Sequence, residues 1–349
     1  MDFGLAPPVA EALHDAVDRA LTGYPYPEAE RAVAVAATRF WADRFGWEVD
    51  PSWVYAAPDV IEGIRRCIVH LTRPGSPVVL HTPVYFPFFS MVERAGREII
   101  EAPCTPDADG RYTIDLDGIE RGLVAGAGSV VICNPWNPTG RTLSRTELQD
   151  VVEIAARHGA RVIADEIHAP ITYERAEHVP ISTVDSERTA IVTAASKAWN
   201  LPGLKCAQVV LPNEEDRRVW EGYFAPHKVG VGTFGLVASE AAYSQGVPWF
   251  DDVLRRLESN RGQVVSMVAD LLPEVVMHPP DGTYLAWLDM SAFGLEQPMK
   301  HIRDLGRVAL TDGEPFGGNS GQYVRFNFAT EPEIITESLL RMAACLRPN

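Results

Sequence analysis

The sequence predicts an α/β fold, with a mainly parallel sheet covered on both faces and a smaller α+β unit after it. Three observations lead there. Short, wholly apolar strands alternate with amphipathic helices through most of the chain. After Gly246 the pattern changes to one long helix, a few short alternating strands and a last helix. Polar clusters follow directly on three of the apolar strands, where an open α/β sheet presents its ligand-binding edge.

Taken in order, the first expected element is a helix with Pro8 near its start and Val9, Leu13, Ala16, Val17, Ala20 and Leu21 on one stripe. The run GYPYP at 23–27 breaks it. A second helix carries Val33, Ala37, Phe40 and Trp41 on one face and stops at Gly46. Residues 53–57 and 77–81 read as strands, with a helix between them built on Ile61, Ile64, Ile68 and Leu71. SVVIC at 129–133 is a fully apolar strand. Ser144 caps a helix that runs to His158, and Glu147, three residues on, completes a capping box. Strands at 161–164, 189–195 and 208–211 follow. Beyond them come a helix over 249–272, strands at 284–288 and 323–328, and a helix over 332–346. The division expected from this pattern is a large domain at 28–247 and a small domain at 1–27 and 248–349, with the N-terminal helix packing on the latter.

Composition narrows the function. The chain has 349 residues, 46% hydrophobic and 22% charged, enough for two domains with a sizeable core. Its formal net charge of −16 argues against nucleic acid or an anionic membrane as partner, since both need a basic face. No apolar run is long enough to cross a bilayer, and no basic stretch precedes an apolar one at the start, so a cytoplasmic protein is expected. The five cysteines are widely spaced and form no CxxC, which predicts reduced thiols and no metal site. Lysine is scarce: Lys197, Lys205, Lys228 and Lys300 are the only four, against 27 arginines.

The polar clusters are NPWNPTG at 134–140, DEIH at 165–168 and SK at 196–197. Asn137, Asp165 and Lys197 stand 28 and 32 residues apart, about one helix-plus-strand unit each, so all three can converge on one sheet edge. A pyridine aldehyde cofactor needs such a set. Lysine forms an imine with the aldehyde, a carboxylate keeps the ring nitrogen protonated, an amide steadies the phenolic oxygen, and a helix N-terminus holds the phosphate. Other residues carry a plainer alternative. Tyr85 lies in an aromatic cluster with Phe86, Phe88 and Phe89, where core packing is the rival reading. His168 could be a satisfied core histidine. Arg325, inside an apolar strand pattern, needs an anion from the protein or from a ligand. Asn260 and Arg261 read as structural.

These motifs, with a basic residue eight positions after Lys197 and YVRFNF around Arg325, resemble the fold-type I enzymes that use pyridoxal 5′-phosphate (PLP). Within them the chain is most similar to the MalY/PatB subgroup of cystathionine β-lyase-like C–S lyases. Further matches are MDFGLAPPV at the start, Gly23-Tyr24, PVYFPF around Tyr85 and AYSQGVPWFDDVL. The resemblance implies a PLP-binding large domain and a homodimer. It also implies roles: Lys197 as Schiff-base lysine and proton shuttle, Asp165 on the ring nitrogen, Asn137 and His168 near the phenolic oxygen, and Tyr85 stacked on the ring. The amides of Val60 and Ile61, with Ser196 and Lys205, would hold phosphate. Arg325 would clamp the substrate carboxylate, and Tyr24 would reach the neighbouring subunit's cofactor. The implied reaction is β-elimination from an L-cysteine S-conjugate such as cystathionine. An aminotransferase, or a regulatory protein that keeps the fold, are the alternatives. Two departures stand out. Members of the group place glycine where this chain has Asp59, a good N-cap whose charge opposes a phosphate at the same helix end and which Lys205 would offset. They also carry a further stretch before the MDF run, near the substrate entrance, so either the start is truncated here or the entrance is expected to be built differently.

Overall fold

The structure, a computed structural model, describes residues 1–224 and 230–346; Lys228 lies outside the described residues. The principal sheet has seven strands, β1 (Val54–Ala57), β2 (Val78–Thr82), β3 (Ile99–Pro103), β4 (Ser129–Cys133), β5 (Arg161–Asp165), β6 (Thr189–Thr193) and β7 (Ala207–Val210). Their order is β1-β7-β6-β5-β4-β2-β3. β3, β2, β4, β5 and β6 run parallel to one another, while β7 lies antiparallel to both β6 and β1.

The wholly apolar strands are interior because both of their faces are covered. Every residue of β2, β4 and β6 is buried. Successive side chains alternate between two cores. Val131, Ile163 and Val192 share one core with Ile64 and Ile68 of α3 (Val60–Leu71). Val130, Val162 and Ile191 share the other with Ile119 of α5 (Leu116–Val124) and Val151 of α6 (Arg145–Arg157). Ser144 and Glu147 form the expected capping box on α6. The remaining helices are α1 (Pro7–Asp18), α2 (Pro27–Phe45), α4 (Pro87–Arg94), α7 (Glu214–Phe224), α8 (Thr233–Gln245), α9 (Val247–Leu271), α10 (Pro298–His301) and α11 (Pro332–Leu346). A second, antiparallel sheet orders β8 (Leu285–Asp289), β10 (Tyr323–Asn327) and β9 (Thr311–Asp312), and α11 lies against α9. No helix among the described residues is long and apolar enough to cross a membrane.

Several boundaries differ from the sequence expectation for identifiable reasons. The first apolar stripe runs through Ala20 and Leu21, but α1 stops at Asp18. Leu21 N bonds Ala16 O, Ala20 N bonds Val17 O, and Ala20 takes φ 53°, which closes the helix end. Trp53 belongs to a short turn whose Asp50 side chain accepts from Ser52 N, so β1 begins one residue later. The strand expected over 189–195 ends at Thr193. β3 is an edge strand of mixed burial, which hides it from a search for apolar runs. α1 packs on α8, and the residues before it reach across the molecule: Asp2 N donates to Ala329 O, and Asn200 Nδ2 donates to Met1 O and Phe3 O. Asn260 Nδ2 donates to Phe328 O and Thr330 O, so it ties α9 to the segment after β10.

The fit of α3 on the sheet is testable at Gly63. A Cβ there would lie 2.7 Å from Val192 Cγ1 and 3.2 Å from Val209 Cγ2. Alanine would ordinarily stabilise a helix interior by up to about 1 kcal/mol over glycine. Overpacking against buried β-branched residues costs about 1–3 kcal/mol, so the clash wins. Gly63→Ala is expected to lower stability in denaturant titration; an unchanged or raised midpoint would show that α3 can lift off the sheet freely.

Candidate active site

Three consecutive parallel neighbours build the site. In register, Asp165 of β5 stands between Cys133 of β4 and Val192 of β6. The backbone continues the ladder past the strands, with Asn134 N donating to Asp165 O and Glu166 N to Val192 O, both at 2.9 Å. The chain leaves all three strands at this edge, which places Asn137, Asp165 and Lys197 together.

The turn that carries Asn137 is fixed from several sides. Asn134 Oδ1 accepts from Leu143 N at 2.9 Å, and Trp136 Nε1 donates to Pro83 O at 2.7 Å. Gly140 takes φ 73°, and a Cβ on it would lie 2.7 Å from Pro280, so the close of the turn requires glycine. Arg141 forks onto both carboxylate oxygens of Glu147 at 2.8 Å each and donates to Tyr112 O at 2.6 Å. Buried in this way, the guanidinium has its counter-charge on the first turn of α6. Sequence reading gave Glu147 only a capping part; its second partner lies outside the helix and left no local signal. His81, fully buried with Nε2 accepting from Cys133 N at 3.0 Å, was not found for the same reason.

One cleft is lined by Val60, Ile61, Tyr85, Asn137, Asp165, His168, Ser196, Lys197 and Lys205, the whole set expected to surround the cofactor. Arg325 reaches it from the second sheet, with Nη1 donating to Asn137 Oδ1 at 2.8 Å and Nη2 to Thr311 Oγ1 at 3.3 Å. The Phe316 ring lies beneath it, 5.0 Å from the guanidinium carbon. Thr311 and Phe316 had no sequence signal, since only the pairing of β9 with β10 brings Thr311 opposite Arg325. Tyr24 does not line the cleft of its own chain. It is 95% exposed, and Gly23 O beside it accepts from Thr233 Oγ1 at 2.9 Å. A wider groove lined by Arg31, Phe40, Tyr243 and Val247 contains none of the site residues.

The electrostatics of the cleft follow from burial. Desolvation pushes the Asp165 carboxyl up to about 7, although the Ile167 amide at 3.0 Å and the Lys197 ammonium act the other way. Desolvation likewise lowers Lys197, against the pull of Asp165, and the positive Arg325 lowers it further. His168 is driven well below its ordinary value by burial, so its ring is neutral, and Nδ1 has no protein hydrogen-bond partner. Arg325 Nε is also buried without one, and among the described residues no carboxylate pairs with this guanidinium. The donor set fits PLP. A buried carboxylate could hold a protonated ring nitrogen, an amine of lowered basicity could attack the aldehyde, and unpartnered donors point at a polar ligand.

The raised Asp165 fixes a pH dependence. A carboxyl whose folded value lies above its ordinary value contributes stability that is complete at low pH and lost as pH rises through about 7. In cofactor-free protein, Asp165→Asn should gain thermal stability relative to the parent between about pH 4 and 8. Saturation with PLP, which supplies a partner for the carboxylate, should remove that gain. A difference in thermal midpoint that stays flat with pH would show that Asp165 is not desolvated.

The chain has clear relatives. The aminotransferase class I and II family matches residues 1–341. A cystathionine beta-lyase of Corynebacterium glutamicum is 39% identical over 99% of this chain and 91% of its own. Cystathionine beta-lyase PatB of Bacillus subtilis is 33% identical over 99% of this chain and 90% of its own. A crystal structure of a putative PLP-dependent beta-cystathionase from Corynebacterium diphtheriae has a TM-score of 0.92 at 35% identity, covering 99% of this chain and 90% of that one. With the sheet order, the cleft and these matches in agreement over nearly the whole length, the chain belongs to the aminotransferase class I and II family.

Proposed function

We infer that the protein is a PLP-dependent carbon–sulfur β-lyase that cleaves cystathionine or another L-cysteine S-conjugate to pyruvate, ammonia and a thiol. The observation that carries an amino-acid substrate is Arg325, a mostly buried guanidinium hydrogen-bonded to an amide oxygen and a hydroxyl, with no carboxylate of its own among the described residues. Such a charge calls for an anion from outside the protein, and an α-carboxylate matches its fork. The relatives named cystathionine beta-lyase support the reaction type.

When bound, PLP supplies an electrophilic aldehyde and an electron-accepting ring. The chain supplies the rest. Lys197 would hold the cofactor through its Nζ, and that amine, made less basic by burial, would take the α-proton of the substrate. Asp165 would hold a proton on the ring nitrogen. Asn137 and the neutral His168 would hold the phenolic oxygen, Tyr85 would cover the ring, and Val60, Ile61, Ser196 and Lys205 would hold the phosphate. Arg325 keeps the α-carboxylate in place while the thiolate leaves the β-carbon, and the three-carbon fragment hydrolyses to pyruvate and ammonia.

Aminotransfer would use the same residues. The five unpaired cysteines accord with a cytoplasmic location.

L-cystathionine is therefore expected to yield pyruvate, ammonia and a thiol without an added 2-oxo acid. In the same assay Arg325→Ala should lose roughly two orders of magnitude in kcat/KM while keeping the visible cofactor absorbance. Turnover that requires a 2-oxo acid and releases no thiol would leave the aminotransferase reading standing instead.

The exposed Tyr24 supports a C2 homodimer in which each Tyr24 serves the partner's cleft. Sedimentation should give a dimer, and Tyr24→Phe should lower activity at unchanged thermal stability. A fully active monomer would exclude this arrangement.

A further inference from the structure

The cofactor cleft contains an ion pair that the mechanism above does not use. Asp59 is the N-cap of α3, and its two oxygens have different partners. Oδ1 accepts from Glu62 N at 2.8 Å and ends the helix; Oδ2 lies 3.0 Å from Lys205 Nζ. Both side chains line the cleft with Val60, Ile61 and Ser196. Apart from Lys197, Lys205 is the only lysine or arginine among the described residues lining it. Their side chains are 36% and 60% exposed, and an ion pair so open to water adds little to the stability of a fold. Holding the chain together does not account for it.

Its position matters more for a ligand. A phosphate monoester carries about −1.5 to −2 charges at neutral pH. At the N-terminus of α3 it meets the amides of Val60 and Ile61 and the positive end of the helix dipole, both favourable. It also meets a carboxylate of like sign, and a lysine whose charge that carboxylate already neutralises. Lys205 has a long, mostly exposed side chain that can turn from one oxygen to another, whereas Asp59 is anchored through its cap bond. We propose that Asp59 competes with the cofactor phosphate for Lys205, so that this chain takes up and releases PLP by exchanging one ion-pair partner for another. The cup consequently holds the cofactor more loosely than it would without the Asp59 charge. Asp59 is in this sense a residue that sets cofactor exchange. The proposal rests on the PLP reading given above.

Asparagine tests it cleanly, because Asn caps a helix as well as Asp does and carries no charge. Full-length protein freed of cofactor is titrated with PLP and, separately, with pyridoxal, which has no phosphate. Asp59→Asn is expected to bind PLP on the order of tenfold more tightly than the parent, the size expected on removing one like charge beside a phosphate in largely aqueous surroundings. It should lose its visible absorbance more slowly on dialysis and show a steeper weakening of PLP binding with added salt. Affinity for pyridoxal should stay as in the parent. Asp59→Ser, a second neutral cap, should behave likewise, and matched thermal midpoints show that both variants are folded. Lys205→Met should weaken PLP binding more in the Asp59→Asn background than in the parent, because there the lysine is free for the phosphate. An Asp59→Asn protein that binds PLP no more tightly than the parent, or that tightens pyridoxal equally, overturns the competition while the cofactor reading stands. A parent that takes up no PLP at all overturns both.

Discussion

The in-register pairing of β4, β5 and β6 is the constraint on which the site depends. Each strand is apolar because both faces of the sheet are covered, and that leaves the strands free to pair side by side with their carboxyl ends level. A slip of one residue in any of them would turn alternate side chains to the wrong core. It would also move Asn137, Asp165 or Lys197 by a residue's rise relative to the other two. The same hydrophobic burial that stabilises the sheet thus sets the positions of the three groups.

Burial then gives those groups their chemistry. Asp165 sits at the end of an interior strand, where it is cut off from water, and its nearest help is one backbone amide and the charge of Lys197. Lys197 is disfavoured as a cation by the same loss of solvent. In water an aspartate and a lysine would both be fully charged near neutral pH. Here each is moved toward neutrality, which suits an amine that must act as nucleophile and base and a carboxylate that waits for a protonated ring.

Arg325 joins the two sheets. It stands on β10, yet its firmest contact is Asn137 in the turn after β4. The guanidinium is kept in place from three directions: the Asn137 amide, the Thr311 hydroxyl on the neighbouring strand and the Phe316 ring. The groups proposed to bind the substrate and those proposed to bind the cofactor are therefore mechanically connected, and any shift of the second sheet is felt at Asn137.

Much of this was legible in the sequence. The apolar runs at 129–133 and 161–164 could only be interior strands, the Ser144–Glu147 spacing could only begin a helix, and the polar clusters after those strands marked the site edge. These are local signals, written within a few residues by hydrophobic pattern and capping chemistry. Contacts between distant segments were decided by tertiary structure alone. No spacing predicts that Arg325 will bond Asn137, that Thr311 will lie opposite it, or that Arg141 will find Glu147 as well as Tyr112. Whether Arg325 had a protein carboxylate could not be read from a chain with 47 acidic residues; the packing of β10 against β8 and β9 left it without one among the described residues. The physical reason is common to all of these. Periodicity and capping record what a segment does with its own neighbours, whereas a side chain's partner across the fold depends on which sheet edge and which helix end are brought within about 3 Å of it, and the sequence carries no local trace of that distance.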